Sequence, residues 1–167
     1  MVSYNSLNPG IELQHGKYRI LSVLGQGGFG FTYEAEQVLL HRKVAIKEFF
    51  MKDCCERDLE TSHVSVGSGA QRQLVAKFRS KFMREAQMIA EMDHQHIVRV
   101  LDVFEGNGTA YYVMDNLTGG SLSSIVKESG PLDEAYWIRF LRKSLILHLK
   151  ANPSLLLMRR QRAFSSN

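Results

Sequence analysis

The sequence predicts an α+β fold: an antiparallel five-stranded sheet, one long helix packed against it, and one or two further helices. Runs rich in aromatic and β-branched residues occupy residues 17–50 and 99–115 and are separated by glycine-containing turns. Asn107-Gly108, between two such runs, is a strong hairpin signal. From position 74 to 89, apolar residues recur at spacings of three and four, which is the period of an amphipathic helix.

The composition is that of an ordinary globular protein. The chain has 167 residues, of which 44% are hydrophobic and 23% are charged, so it holds one domain or part of a larger one. Its net charge of +4 resides in the tail, because residues 139–167 contain seven Lys or Arg and no acid. A nucleic-acid surface usually spreads its charge over a folded face with interleaved aromatics. We therefore expect no nucleic-acid partner.

Cysteine usage and hydropathy predict a cytoplasmic location. Cys54 and Cys55 are adjacent and fit neither a disulfide framework nor a zinc spacing, which is typical of reduced thiols. No secretory signal opens the chain. The apolar stretch at residues 145–158 is too short to cross a bilayer and contains Lys150 and Pro153, so we expect no membrane partner.

The chain divides into four predicted segments. Residues 1–15 form a flexible leader, residues 16–117 the sheet with its long helix, residues 118–150 further helices, and residues 151–167 an irregular basic tail. Within the second segment, residues 51–69 are polar and without a steady period. We expect them to form a surface insertion, which loops tolerate at low cost.

A glycine cluster opens the stretch from Leu24 to Lys47. Its G-x-G-x-x-G spacing alone is weak evidence, because turns and dinucleotide sites also produce it. A dinucleotide fingerprint runs from a strand into a helix. Here the residues after Gly30 are typical of a strand instead, so strands flank the glycines on both sides and the pattern predicts a hairpin. A further short strand then ends on the apolar run Val44-Ala45-Ile46 before Lys47.

The long helix places a carboxylate among apolar residues. Ser68 and Gln71 have the spacing of a capping box at its start. One face of this helix is predicted to carry Leu74, Phe78, Phe82, Glu85 and Ile89. A lone carboxylate is costly in such a position. We expect Lys47 to neutralise Glu85.

The glycine hairpin followed by V-A-I-K resembles the ATP-binding start of a protein kinase domain. Residues 93–98 resemble the H-P-N-I-V segment of kinases, with Gln95 in place of the proline, and His94 and His96 are interpreted as structural. Residues 111–122 resemble the kinase hinge. These matches cover about residues 18–144 in the family's order and are most similar to bacterial serine/threonine protein kinases. The first part of the chain is thus identified as a kinase-like N-lobe followed by the start of a C-lobe.

The resemblance implies a role for each motif. The backbone amides from Gln26 to Gly30 would cover the ATP phosphates, Lys47 would bind the α and β phosphates, and Glu85 would hold Lys47. Met114 would be the gatekeeper, and the Asp115 carbonyl and Leu117 amide would bind the adenine. The implied ATP-binding residues are Leu24, Gly25, Gln26, Gly27, Gly28, Phe29, Gly30, Thr32, Ala45, Lys47, Glu85, Met114, Asp115 and Leu117, of which Leu24, Thr32 and Ala45 would form the upper apolar wall.

The catalytic half of the kinase pattern is absent from these 167 residues. The sequence has neither the H-R-D…N loop nor the D-F-G segment, and no Asp or Glu lies beyond Glu134. The base and Mg²⁺ ligands of the family are therefore missing, and we expect ATP binding with little or no phosphate transfer. A frameshift or truncation near Arg139 would explain the basic tail. Two alternatives remain open: a non-catalytic, pseudokinase-like module with an unidentified protein partner, and a tail that binds nucleic acid or another anionic surface.

Overall fold

The structure of the chain is a computed structural model that describes residues 5–94 and 97–118, together with positions 126, 127, 130, 133 and 134. The predicted helices at 121–128 and 132–149 fall outside the described residues except for some of these isolated positions. The basic tail and His96 also lie outside them.

The described strands and helix follow the predicted order, with additional short strands. They are β1 (Glu12–Leu13), β2 (Tyr18–Gly27), β3 (Gly30–Gln37), β4 (Arg42–Phe49), β5 (Cys55–Arg57), β6 (Val64–Val66), α1 (Gly69–Ala90), β7 (Val100–Gly106) and β8 (Thr109–Asp115). A single 3₁₀ turn, Val38–Leu40, connects β3 to β4.

The main sheet has the strand order β1-β2-β3-β4-β8-β7, and every neighbouring pair is antiparallel. Five of its strands are the predicted ones, and the two-residue strand β1 makes a sixth. Helix α1 packs against β7 and β8. The predicted fold class, an antiparallel sheet with one long packed helix, is confirmed.

The leader packs against the sheet from residue 6 onward, which differs from the expectation of a flexible segment. Leu7 is 1% exposed, and its backbone N–H donates to the Tyr33 hydroxyl at 3.1 Å. Gly10 N–H donates to the Ile20 carbonyl at 2.8 Å. Polar composition suggested a loose leader, but apolar side chains such as Leu13 supply enough burial to hold it in place.

Helix α1 begins at the predicted capping box, with the Ser68 backbone N–H donating to Gln71 Oε1 at 2.9 Å. Its buried residues are Val75, Phe82 and Ala86. The predicted face was therefore wrong in part, because Leu74 is 43% exposed and Glu85 is also exposed. Aromatic rings from the sheet fix this orientation: Phe82 packs 4.9 Å from the Tyr112 ring and 5.7 Å from the Phe49 ring.

The insertion at residues 51–69 forms a hairpin, β5–β6, that enters the core instead of remaining on the surface. Arg57 is 8% exposed, and its guanidinium donates to Glu48 Oε1 at 2.6 Å. It also donates to the backbone carbonyls of Asn5 and Ser62, each at 2.8 Å. Asp58 stabilises the hairpin loop by accepting the Thr61 backbone N–H and hydroxyl at 2.7 and 2.8 Å.

Glu48 is completely buried and accepts hydrogen bonds from three side chains. Besides Arg57, the Tyr33 hydroxyl donates to it at 2.6 Å and the Tyr111 hydroxyl at 2.8 Å. A buried carboxylate needs such partners because burial without them would cost several kcal/mol. We call Glu48, Arg57, Tyr33 and Tyr111 the Glu48 cluster.

Electrostatics within the Glu48 cluster keep its tyrosines neutral and its arginine charged. Burial, and then the adjacent Glu48 carboxylate, raise the pKa of Tyr33 and of Tyr111 well above the ordinary value. Burial alone would lower the pKa of Arg57, but the attraction of Glu48 outweighs it and the pKa is raised. The cluster therefore contains one buried ion pair flanked by two phenol donors.

Candidate functional site

Strands β3, β4 and β8 bring four of the predicted site residues onto one face of the sheet. Thr32 pairs with Lys47 across β3 and β4, and Ala45 pairs with Met114 across β4 and β8. Lys47 is also opposite Tyr112. Side chains two apart in a strand share a face, so Ala45 and Lys47 point to the same side.

The predicted glycine hairpin forms between β2 and β3, with Gly27 opposite Gly30. Gly30 has φ of 147°, and a Cβ there would overlap the Glu48 carbonyl oxygen, so this position requires glycine. A Cβ at Gly25, Gly27 or Gly28 would meet nothing within 4 Å. These three glycines leave open space on the hairpin, which permits a ligand to approach the backbone closely.

Aromatic contacts hold the tip of the hairpin over the sheet and α1. The Phe29 ring stacks on the Phe78 ring of α1, with centroids 5.4 Å apart. The Phe50 backbone N–H donates to the Phe29 carbonyl at 2.9 Å and so ties the tip to the end of β4. Phe29, which was predicted as part of the phosphate loop, thus also anchors that loop to the helix.

A cavity of about 190 Å³ lies beneath the hairpin tip. It is lined by Phe29, Lys47, Phe49, Phe78, Lys81, Phe82 and Glu85. Phe29, Lys47 and Glu85 were predicted as site residues, whereas the sequence reasoning missed Phe49 and Lys81 and assigned Phe78 and Phe82 only to the helix core. The spacing of Lys81 and Glu85, four residues apart on one helix, was the available signal for the missed lysine.

Lys47 lies between two aromatic rings, and it is not ion-paired with Glu85. Its Nζ is 5.4 Å from the centroid of the Tyr112 ring and 5.9 Å from that of Phe82. Within residues 5–94 and 97–118, none of the ion pairs joins Lys47 to a carboxylate. The expected burial of Glu85 against Lys47 is absent because α1 turns Val75, Phe82 and Ala86 toward the sheet.

The hinge-like residues lie at the end of β8. The Asp115 backbone N–H donates to the Arg99 carbonyl at 3.1 Å, and the Asp115 side chain accepts from Arg99 Nε at 2.8 Å. The Asn116 side-chain amide donates to Glu34 Oε1 at 3.2 Å. The side chains of Leu24 and Leu117 are 53% and 74% exposed, so neither is packed into the core.

The described residues form neither a cluster of metal-ligating side chains nor a membrane-spanning helix. They contain no group of three or more His, Cys, Asp or Glu side chains that could hold a metal ion. Among their helices, none is both long and apolar enough to span a membrane.

Comparison with known proteins gives a consistent family assignment. Residues 18–150 match the family described as protein kinase domain. The chain is 32% identical over 135 residues to the serine/threonine-protein kinase PknD of Mycobacterium tuberculosis, covering 81% of this chain and 18% of that protein. It is 33% identical over 117 residues to the serine/threonine-protein kinase PrkC of Bacillus subtilis, covering 70% of this chain and 15% of that protein.

Solved structures agree on the fold. The structure described as PpkA-294 apo form aligns with a TM-score of 0.72 and 30% identity over 81% of this chain and 47% of that one. The Mycobacterium tuberculosis PknI kinase domain aligns with a TM-score of 0.64 at 20% identity, covering 89% of this chain and 52% of that one. The chain thus spans less than a fifth of these curated relatives and about half of the two solved structures. It belongs to the protein kinase family, with bacterial serine/threonine kinases among its relatives.

Proposed function

We propose that this chain binds ATP beneath the glycine hairpin, with Lys47 as the cation for the phosphates. The observation that carries the proposal is the position of Lys47 in the cavity under the hairpin tip, without an ion-paired carboxylate in the described part of the chain. An ammonium group below open backbone amides offers complementary charge and hydrogen-bond donors to phosphate oxygens.

The adenine end of the proposed site is formed by the residues that resemble the kinase hinge. The Asp115 carbonyl accepts from the adenine and the Leu117 amide donates to it, with Met114 as gatekeeper beside Ala45. Leu24 and Thr32 complete the wall above the base. In the nucleotide-bound state, we propose that Glu85 approaches Lys47, since both already line one cavity.

Ligand-dependent stability tests this proposal. ATP at about one hundred times its Kd should add roughly 2.7 kcal/mol to the free energy of unfolding and raise Tm measurably. Lys47→Met should remove most of the shift. Lys43→Met is the matched control, because Lys43 lies on the same strand but is exposed and pairs with Glu34. The proposal would be refuted if ATP did not change the Tm of the wild-type chain, or if Lys47→Met showed the same ATP-induced increase in Tm as the wild type.

We further propose that the 167 residues do not transfer phosphate on their own. The sequence provides neither the H-R-D…N loop nor the D-F-G segment that orient the nucleophile and Mg²⁺ in kinases. A radiolabelled ATP assay with the purified chain and a generic protein substrate should give no labelling above the Lys47→Met background. Robust labelling that Lys47→Met abolishes would contradict this.

A further inference from the structure

Two ammonium groups from different elements face the cavity under the glycine hairpin. Lys47 enters it from β4 and Lys81 from α1, and Glu85 is the one carboxylate among the lining residues. Across the described ranges, no ion pair includes either lysine. A cavity with two cations and one carboxylate has a net positive lining, which concentrates anions.

The contacts of Lys81 place it beside the tip of the hairpin. Its Nζ lies 5.4 Å from the centroid of the Phe78 ring, and Phe29 from the tip stacks on that same ring. Lys47, in contrast, lies over Phe82 and Tyr112 nearer the sheet. The two lysines therefore contact different aromatic rings of the cavity wall.

We infer that Lys81 is a second phosphate-binding residue, which contacts the terminal phosphate group of the nucleotide while Lys47 contacts the inner ones. The inference rests on the proposed ATP site, in which the phosphates lie under the hairpin. A cation beside the hairpin tip favours nucleotides whose phosphate chain is long enough to extend from Lys47 to Lys81. Lys81 thereby makes the site selective for nucleoside triphosphates over monophosphates.

A different arrangement of the same residues makes the opposite prediction. Lys81 and Glu85 are four residues apart on α1, a spacing that permits a side-chain ion pair. If Lys81 instead served to hold Glu85 away from Lys47, its removal would release Glu85 and strengthen nucleotide binding. The sign of the change in affinity therefore distinguishes the two roles.

Isothermal titration of the full chain with ATP and with AMP, at one fixed ionic strength, tests the inference. A charge-assisted hydrogen bond contributes about 1.5–3 kcal/mol, so Lys81→Gln should weaken ATP binding about tenfold or more. AMP affinity should change less than about twofold, and Lys81→Arg should retain most of the ATP affinity because it keeps the charge. Lys77→Gln is the matched control, since Lys77 is exposed on the same helix and does not line the cavity.

Several results would overturn the inference. ATP affinity that is unchanged or increased in Lys81→Gln excludes a direct phosphate contact, and an equal loss for ATP and AMP excludes a contact with the terminal phosphate. In either case, Lys47-dependent ATP binding by the wild-type chain would leave the proposed function intact. A wild-type chain that binds no ATP would refute both.

Discussion

Lys47 and Glu48 are neighbours in β4, and their side chains leave the strand on opposite faces. Lys47 lines the cavity under the glycine hairpin, whereas Glu48 is buried against Arg57, Tyr33 and Tyr111. Successive side chains of a β-strand point to opposite faces of the sheet, so burying Glu48 on one face directs Lys47 to the other. The Glu48 cluster therefore fixes the part of β4 that presents Lys47 to the cavity.

Arg57→Met should destabilise the chain by about 3–5 kcal/mol, because it leaves the buried Glu48 carboxylate without its counter-ion. Urea unfolding at pH 7, followed by circular dichroism, measures the change. The control is Arg19→Met, which removes an arginine whose side chain is 43% exposed and pairs with Glu12 at 3.2 Å and with Glu36 at 3.6 Å. An exposed pair contributes about 0.2–1 kcal/mol, so equal losses in the two variants would contradict the role of Arg57.

Alkaline pH should destabilise the native chain through the tyrosines of the Glu48 cluster. Burial and Glu48 raise the pKa of Tyr33 and Tyr111 above the ordinary 10.0, and burial followed by Asp102 raises that of Tyr18 to about 12. The unfolded chain therefore loses these protons at lower pH than the folded chain. The contribution of these protonated tyrosines to the free energy of unfolding is therefore complete below pH 10 and declines as the pH rises above 10.

Tyr111→Phe tests this pH dependence at a single residue. Above pH 10, each such tyrosine lowers the free energy of unfolding by up to about 1.4 kcal/mol per pH unit. Tyr111→Phe removes one of these groups, so the free energy of unfolding should fall less steeply with pH in the variant. At pH 7 it should be less stable than wild type by about 1 kcal/mol, from the lost hydrogen bond to Glu48. Denaturation midpoints between pH 7 and 11 measure both effects, and parallel curves for the two proteins would exclude the proposed titration.

At the scale of an element, the glycine hairpin combines one structurally required glycine with several that leave space. Gly30→Ala places a methyl group against the Glu48 carbonyl at a φ of 147°, so backbone strain alone should cost about 1–3 kcal/mol and the overlap more. Gly28→Ala meets no atom within 4 Å and is the matched control. Thermal unfolding without ligand should show a large loss only for Gly30→Ala. A comparable loss for Gly28→Ala would mean that the hairpin is packed differently.

Helix α1 shows where local sequence patterns succeed and where they fail. Ser68 and Gln71 are three residues apart, so their capping box was readable from the sequence and is confirmed. The buried face was misassigned in part because apolar spacing alone does not show which flank of the helix faces the sheet: Val75 and Ala86 are buried, whereas Leu74 is exposed. Phe78 stacks on Phe29 of the hairpin, a contact between residues 49 positions apart that no local pattern reveals. Glu85 was assigned to the buried face only because its spacing matches that of the apolar residues of the helix.

For the whole molecule, the order of motifs along the chain predicted the sheet and the family, and both are confirmed. It also predicted that Lys47, Thr32, Ala45 and Met114 belong to one ATP site. Strand pairing brings these four residues together, and the site itself stays a prediction. The Glu48 cluster could not be predicted in the same way. Arg57 lies in a polar segment with no period, and the other two donors to Glu48, Tyr33 and Tyr111, are distant from it in sequence. A buried ion pair of this kind depends on tertiary contact and has no local signature, which is why the insertion was interpreted as a surface loop.

Shortening the insertion tests whether it is part of the core. Cys55 and Val66 are paired across β5 and β6, so an Asn-Gly turn can replace residues 56–65 while keeping that pair. A surface loop would tolerate this change, because a shorter loop lowers the entropy cost of closure. We expect instead a loss of at least about 3–5 kcal/mol in urea unfolding, because Glu48 loses its counter-ion as in Arg57→Met and the buried Val64 side chain is removed as well.

Glu48→Met in the shortened chain provides the decisive comparison. If the loss arises from an unpaired buried carboxylate, replacing that carboxylate with an apolar side chain should recover part of the stability. Recovery should be incomplete, because the Tyr33 and Tyr111 hydroxyls then lack their acceptor, which costs about 1–3 kcal/mol for each unsatisfied group. In the full chain the same substitution also leaves Arg57 buried without its carboxylate, so Glu48→Met should cost more there than in the shortened chain. A shortened chain as stable as the full one, or an equal cost of Glu48→Met in both, would show that the hairpin does not stabilise β4 through the Glu48 cluster.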